Sequence, residues 1–310
     1  LIDSLSNWDG RHYLRLSQNG YQEKSDYAFF PLYPLLIKIL SPLLSPLNAS
    51  LTISWICLTL CLVSLYQLIK RTFNSPLAYQ TIFTLLLFPT SFYLLTSHSE
   101  SLFLALSLGV FSTLTPRPKF ITFIFLTLAL LTRPFGFVLL LLVFGYGIYH
   151  HWKWHQLVLT FSGLVIFLIW LVFQQQNITV LFTAQNIWLR HLTTPWQPLN
   201  DQLTAITNGQ AFLYPINIIN LFLATVQLGL SFRSWRFLPK TFAIYSILLA
   251  IFPLFTGSLS SIPRFMIINF PIFITLSLLK NKLLYWSYLG ISIIGLIAFS
   301  WQFISGNWLN

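Results

Sequence analysis

The chain has 310 residues, 56% of them hydrophobic and 7% charged, with a net charge of +11 and a mean hydropathy of +0.73. Soluble domains carry about 25% charged residues, so this composition excludes an ordinary soluble fold. The basic balance fits Lys and Arg anchoring loops at a membrane surface, and no basic stripe with interleaved aromatic residues suggests nucleic acid.

Apolar residues come in runs of roughly 18–20, about the length of helix that crosses a bilayer core. The alternation expected of a β-barrel is absent. Backbone groups in lipid must be satisfied within the segment, so the expected fold class is an all-α polytopic membrane protein.

Residues 1–28 are polar and hold four of the six acidic residues. The stretch from Phe29 to Leu47 is apolar but broken by Pro31, Pro34, Lys38, Pro42 and Pro46, and is expected to form an interfacial or re-entrant helix. Spans are predicted at 51–69, 77–96, 100–115, 119–132, 135–150, 157–174, 211–232, 241–257, 265–279 and 283–304, about ten in all. The segment 175–210 is polar and is expected to fold on the membrane surface. This gives one membrane domain over 1–310: an extracytoplasmic first loop with an interfacial helix (1–50), a first helix group (51–174), a second extracytoplasmic loop (175–210) and a C-terminal helix group (211–310). The chain begins at Leu1 without a visible signal peptide, and a further helix is expected upstream. Cys57 and Cys61 lie one turn apart in a single apolar run and read as packing residues.

Ten of the seventeen basic residues fall on one set of loop ends: Lys70, Arg71, Arg117, Lys119, Lys153, Arg233, Arg236, Lys240, Lys280 and Lys282. The positive-inside rule makes that face cytoplasmic. Every carboxylate (Asp3, Asp9, Glu23, Asp26, Glu100 and Asp201) then lies on the opposite, extracytoplasmic face.

Three clusters on that face could carry chemistry. Trp8-Asp9-Gly10-Arg11-His12-Tyr13 sets a carboxylate beside aromatic side chains, as a general base for a sugar hydroxyl would need. The alternative is an Asp that caps a short helix. In Thr96-Ser97-His98-Ser99-Glu100-Ser101, Glu100 opens a long uncharged run. A carboxylate so placed tends to face a cavity, or it is an acid favoured by the helix dipole. Arg133 in Thr132-Arg133-Pro134-Phe135-Gly136, and Arg264 after Ser260-Ser261-Ile262-Pro263, could each grip a lipid phosphate through a planar guanidinium, or could snorkel to the interface. Aromatic residues, among them Trp8, Tyr13, Tyr21 and Tyr33, could pack on sugar rings. His150, His151 and His155 lie among Trp152 and Trp154 as in an interfacial belt. No Asp-x-Asp motif and no phosphate-binding Gly-rich loop points to a nucleotide-sugar or a metal.

Trp8-Asp9-x-x-His12-Tyr13, Gly20-Tyr21, Ala28-Phe29-Phe30-Pro31 and Pro34-Leu35 resemble the start of the PIG-V family, the mannosyltransferases of glycosylphosphatidylinositol (GPI) anchor synthesis and their bacterial relatives. Pro89, Ser99-Glu100-Ser101-Leu102-Phe103 and Arg133 with Gly136 resemble its later motifs in the same order, over roughly the first 140 residues, and Pro263-Arg264 is a weaker likeness. The resemblance implies a GT-C fold in a bacterial plasma membrane or an ER membrane. It implies a polyprenyl-phosphate sugar donor, a glycolipid or glycan acceptor, inversion at the sugar carbon, and neither metal nor other cofactor. By match to the Trp-Asp motif, Asp9 is the expected catalytic acid/base. Trp8, Arg11, His12, Tyr33, His98, Glu100, Arg133 and Arg264 are the expected substrate-binding residues. His98 stands where eukaryotic members tend to have Tyr, and Arg133-Pro134-Phe135-Gly136 replaces an Arg-Ser-Asn-Gly type sequence, so the acceptor need not be a GPI precursor. Membrane lipids are the expected surroundings, and the sequence names no protein partner. The rival reading is a lipid or sugar-lipid transporter without covalent chemistry.

Overall fold

The computed structural model describes residues 2–208 and 215–307, without the side chains of 215–217. Among the described residues every regular element is helical. The helices are α1 (Asp9–Asn19), α2 (Leu32–Leu40), α3 (Pro46–Thr72), α4 (Ser75–Leu86), α5 (Glu100–Thr113), α6 (Phe120–Thr132), α7 (Gly136–Tyr149), α8 (Trp154–Leu159), α9 (Ser162–Phe173), α10 (Thr179–Ile187), α11 (Gln197–Thr207), α12 (Pro215–Phe237), α13 (Lys240–Ile251), α14 (Ile262–Met266), α15 (Phe270–Ser277) and α16 (Lys282–Ile304).

Local chemistry explains the ends. Ser45 caps α3 by accepting from Asn48 N at 3.3 Å, with Pro46 in the first turn where its missing N–H costs nothing. Asn281 caps α16 through Leu284 N at 3.2 Å. Prolines also divide elements that hydropathy joins. The predicted span 77–96 is not one helix: α4 stops at Leu86, Pro89 follows, and a 3-10 turn forms at Ser91–Leu94. The predicted span 265–279 is likewise two pieces, α14 and α15, each with a proline in its first turn and with Asn269 between them. The span 157–174 divides into α8 and α9, and 241–257 ends as a 3-10 turn at Phe252–Thr256. The first residues of the predicted 211–232 span lie outside the described residues. The segment 175–210 is largely helical, as α10 and α11.

Among the described residues, α3 and α16 are long and apolar enough to cross a membrane, and five shorter apolar helices of 10–17 residues accompany them. The figure of ten spans therefore remains an expectation from hydropathy.

The chain divides into two compact units, 1–78 with 93–185, and 79–92 with 186–310. In the first unit, α5 packs between α3 and α6, α6 packs on α7 and α9, and α1 and α2 lie against each other and against α3. Its core includes Tyr33, Phe103 and Phe167, all less than 2% exposed. In the second unit, α12 packs against α13, α14 and α15.

Candidate active site

Asp9 opens α1, and it is half-buried. Its predecessor Trp8 has φ 60° and ψ −121°, a left-handed backbone that costs a bulky residue about 1–3 kcal/mol. Strain of this kind persists only where the surroundings enforce it. Here the chain turns sharply from the 3-10 segment Asp3–Ser6 into α1.

Gly10 explains the next step. A Cβ at this position would stand 3.2 Å from the Ser97 carbonyl oxygen and 3.3 Å from Ser97 Cβ. The missing side chain lets the start of α1 lie on the turn that precedes α5. Ser97 N donates to Leu5 O at 3.0 Å, and one turn further on Tyr13 and Ser99 share a 2.9 Å hydroxyl hydrogen bond. The same turn is tied to α3, with Ser50 and Ser97 hydroxyls 2.7 Å apart and Ser54 Oγ donating to the His98 carbonyl at 3.3 Å. His98 is fully enclosed, its Nδ1 2.9 Å from Thr96 Oγ1 and its ring edge-on to Tyr93.

Glu100 and Arg133 meet directly, Oε1 to Nη1 at 2.6 Å. The reason is the hairpin. Helices α5 and α6 have 14 and 13 residues and are joined by 114–119. At the linker end, Thr122 Oγ1 donates to Thr113 O at 3.1 Å. Two antiparallel helices of equal length bring their far ends together, which places the first residue of α5 beside the residue after α6. Arg133 is extended (φ −157°, ψ 156°) and turns back toward Glu100. The tight return into α7 needs Gly136, where a Cβ would collide with Leu130 Cα and stand 2.8 Å from Leu130 N. Glu100 is fully buried and Arg133 is 7% exposed. Desolvating two charges is costly, and good geometry is what makes such a pair tolerable.

A second ion pair fixes the rest of the first loop. Asp26, 1% exposed, pairs with Arg15 through both guanidinium nitrogens and accepts from the Gln22 and Glu23 amides at 2.9 and 3.0 Å. Burial raises the Asp26 carboxyl, but the Arg15 guanidinium and the two amides outweigh it and hold the group below its ordinary value. This knot leads to Phe29, which stacks on His12 at 5.1 Å and meets Tyr13 edge-on at 5.2 Å. Burial pulls the His12 imidazole below its ordinary value, against the opposing charge of Asp9 one turn away. Sequence reasoning does not find the Arg15–Asp26 pair, because a contact across an irregular loop leaves no periodic signal.

Three expected residues stand differently. Tyr33 is completely buried, and its hydroxyl meets Ser54 Oγ at 2.9 Å and the Ser50 carbonyl at 3.1 Å. In this structure it packs between α2 and α3. Arg11 is exposed and donates to Asn7 Oδ1 at 2.9 Å. Arg264 belongs to the second unit, on α14, 7% exposed, beside a Pro263 carbonyl that accepts from Thr90 at 2.7 Å. Also in that unit, Arg190 donates to the Ser260 carbonyl at 2.8 Å and lies 5.1 Å over the Phe265 ring. Trp8, Asp9, His12, His98, Glu100 and Arg133 all belong to the first unit, where Gly10 and Tyr13 seat α1 on the turn 96–99 and Glu100 pairs with Arg133.

A model of the family described as Mannosyltransferase (PIG-V) matches residues 1–175, which include all six of these residues. The human GPI alpha-1,6-mannosyltransferase 2 is 27% identical over 128 residues, covering 37% of this chain and 26% of the human protein. The fold is similar to that of ArnT from Cupriavidus metallidurans, solved bound to undecaprenyl phosphate, with a TM-score of 0.55 at 14% identity over 93% of this chain and 57% of ArnT. The chain spans about a quarter of the human relative's length and just over half of ArnT's. At that identity the ArnT likeness concerns the fold alone.

Proposed function

This chain belongs to the PIG-V mannosyltransferase family, and from that premise we propose that it is an inverting membrane glycosyltransferase, moving a mannosyl group from a polyprenyl-phosphate donor to a hydroxyl of a glycan or glycolipid acceptor at the extracytoplasmic face. The observation that supports the reading is the buried Glu100–Arg133 pair beside the turn 96–99, on which Gly10, next to the Trp8-Asp9 motif, seats the start of α1. The fully extracytoplasmic set of carboxylates expected from the loop charges supports the choice of face.

The step is a single displacement. The acceptor oxygen attacks the sugar C1 while Asp9 takes the hydroxyl proton. The bond from C1 to the phosphate oxygen breaks, its electron pair leaves on the polyprenyl phosphate, and C1 inverts. Arg133 has more N–H donors than one carboxylate accepts, so it can stay on Glu100 and still receive phosphate oxygens, stabilising the charge that builds on the leaving group. Glu100 then acts as a positioning residue for Arg133, and His98 holds the turn from which Glu100 projects. His12, stacked on Phe29 and shifted toward its neutral form chiefly by burial, offers the acceptor a hydrogen bond beside Asp9. All of these residues belong to the first unit.

The test is purified protein in lipid with polyprenyl-phosphate mannose and a mannose-terminated glycolipid, following release of free polyprenyl phosphate. Asp9→Asn should lower turnover by roughly 10²–10⁴-fold, the usual contribution of a positioned base, with little change in thermal midpoint. Unchanged turnover removes Asp9 from the mechanism. Movement of labelled lipid between leaflets without free polyprenyl phosphate would overturn the enzyme reading in favour of a transporter.

A further inference from the structure

One face of α12 carries carboxamide groups that the surrounding helices leave unsatisfied. Asn220, Ala224, Gln227, Ser231 and Ser234 recur at spacings of four, three, four and three, and all are buried. That spacing puts them on a single stripe of the helix, about 21 Å long at ~1.5 Å per residue. The lower part of the stripe is served by protein. Ser246 on α13 donates to Ser231 Oγ at 2.9 Å, and Asn269, between α14 and α15, donates to the Ser246 carbonyl at 3.1 Å.

Other amide atoms on or beside the stripe lack a protein partner among the described residues. Gln227 is 1% exposed and has no protein partner among the described residues at either Oε1 or Nε2. Oδ1 of Asn220, 2% exposed, and Oδ1 of Asn269, fully buried, also lack one there. Exchanging the amide ends does not help. Both ends of Gln227 are in the same position, and Asn269 must turn its nitrogen to the Ser246 carbonyl, which can only accept. Buried amides left in this state are rare, and inside a helix bundle in lipid such groups face one another or a hydrated site.

The chemistry of the occupant follows from the count of groups. At Gln227 one carbonyl oxygen and one amide nitrogen ask for a partner that both donates and accepts. No Asp or Glu occurs anywhere in 215–277 to balance a divalent cation, and the stripe carries no cationic side chain to hold an anion. A neutral O–H group fits. We propose that the Gln227 amide faces a hydroxyl-binding site on the α12 stripe within the second unit, occupied by ordered water or by the hydroxyls of a sugar. The assignment is independent of the role given to Asp9.

The test begins on the native full chain in lipid nanodiscs, at a resolution that reveals water. Density about 2.7–3.2 Å from both ends of the Gln227 amide is expected. Absence of any such density, with Gln227 turned onto a main-chain group, overturns the proposal. Methyl α-mannoside then separates the sources. If sugar is the occupant, it raises the thermal midpoint of the native chain and of Asp9→Asn by about 2–4 °C, and Gln227→Leu abolishes the rise. If the density is present but the sugar produces no rise, or the rise survives Gln227→Leu, water is the occupant. The density measurement needs no variant, so a Gln227→Leu chain that fails to fold leaves the proposal open to refutation.

Discussion

The two units differ in the charge they bury. The first holds five of the six carboxylates, Asp3, Asp9, Glu23, Asp26 and Glu100, and its enclosed polar contacts include two ion pairs, Glu100 with Arg133 and Asp26 with Arg15. The second has one carboxylate, Asp201, and the hydrogen bonds among its buried Asn269, Ser246 and Ser231 are between neutral groups, beside the neutral Gln227 amide on the same stripe. Charge in a low-dielectric interior acts strongly on any charge that develops nearby. Neutral amides hold hydrogen-bonding geometry but stabilise little charge. A displacement with an anionic leaving group therefore suits the first unit, and neutral hydroxyls suit the second. The family match over residues 1–175 covers nearly all of the unit with the ion pairs, together with the 79–92 segment of the other.

The largest expected effect breaks the charged side of this contrast. Glu100→Ala or Arg133→Ala leaves the other charge buried without its counterpart, and each should cost about 3–5 kcal/mol of stability. The double change Glu100→Leu with Arg133→Met removes both charges and should recover most of that loss, measured by thermal or denaturant unfolding in detergent. Turnover should stay lost in the double variant. If turnover returned with stability, the pair would be structural only, and the contrast between the units would lose its functional meaning.

A smaller effect compares backbone packing in the two units. Gly136→Ala drives a methyl into Leu130 Cα, so the α6–α7 turn must open. The cost should be about 1–3 kcal/mol, with turnover falling further than stability because Arg133 moves with the turn. Gly229, within α12, has nothing within 4 Å of an added Cβ. Gly229→Ala should be neutral or stabilising by up to about 1 kcal/mol. Equal effects at the two glycines would contradict the account of Gly136 as the residue that permits a close backbone approach.

Much of the charged site is legible in the amino-acid sequence. Glu100 and Arg133 stand at the outer ends of two apolar runs of nearly equal length, and an antiparallel pair of helices must then juxtapose them. The Trp-Asp motif marks Asp9 as a candidate, but the seating of α1 on the turn 96–99 depends on Gly10 lying against Ser97, which no spacing announces. The burial of Tyr33 is not legible, because a nine-residue helix rich in apolar residues does not reveal which side of an aromatic ring is covered. Nor is the split of 77–96, because averaging hydropathy over Pro89 hides a break in the hydrogen-bond ladder. The same averaging hides the α12 stripe: Asn220 and Gln227 are each surrounded by apolar neighbours, and only the spacing of the polar positions along the helix shows that they share a face.

The smallest expected effect concerns pH and separates two groups on the first loop. His12 is held below its ordinary value of 6.5, chiefly by burial, so the unfolded chain binds a proton there more readily than the folded one. Stability should accordingly fall as pH drops below about 6.5 and level off once the folded imidazole is also protonated. Asp26 has the opposite charge type but the same direction of shift, held down by Arg15 and two amides against burial. Its contribution is present above the unfolded carboxyl value of about 3.9 and is lost as pH falls through the folded one. The two windows do not overlap at their upper ends. His12→Gln should flatten the midpoint-versus-pH curve near pH 6 and leave the acid limb in place, whereas Asp26→Asn should lower the midpoint at neutral pH and flatten the acid limb. A His12→Gln chain with an unaltered slope near pH 6 would mean that the imidazole is no less basic when folded, and the neutral hydrogen-bonding role given to it beside Asp9 would fail.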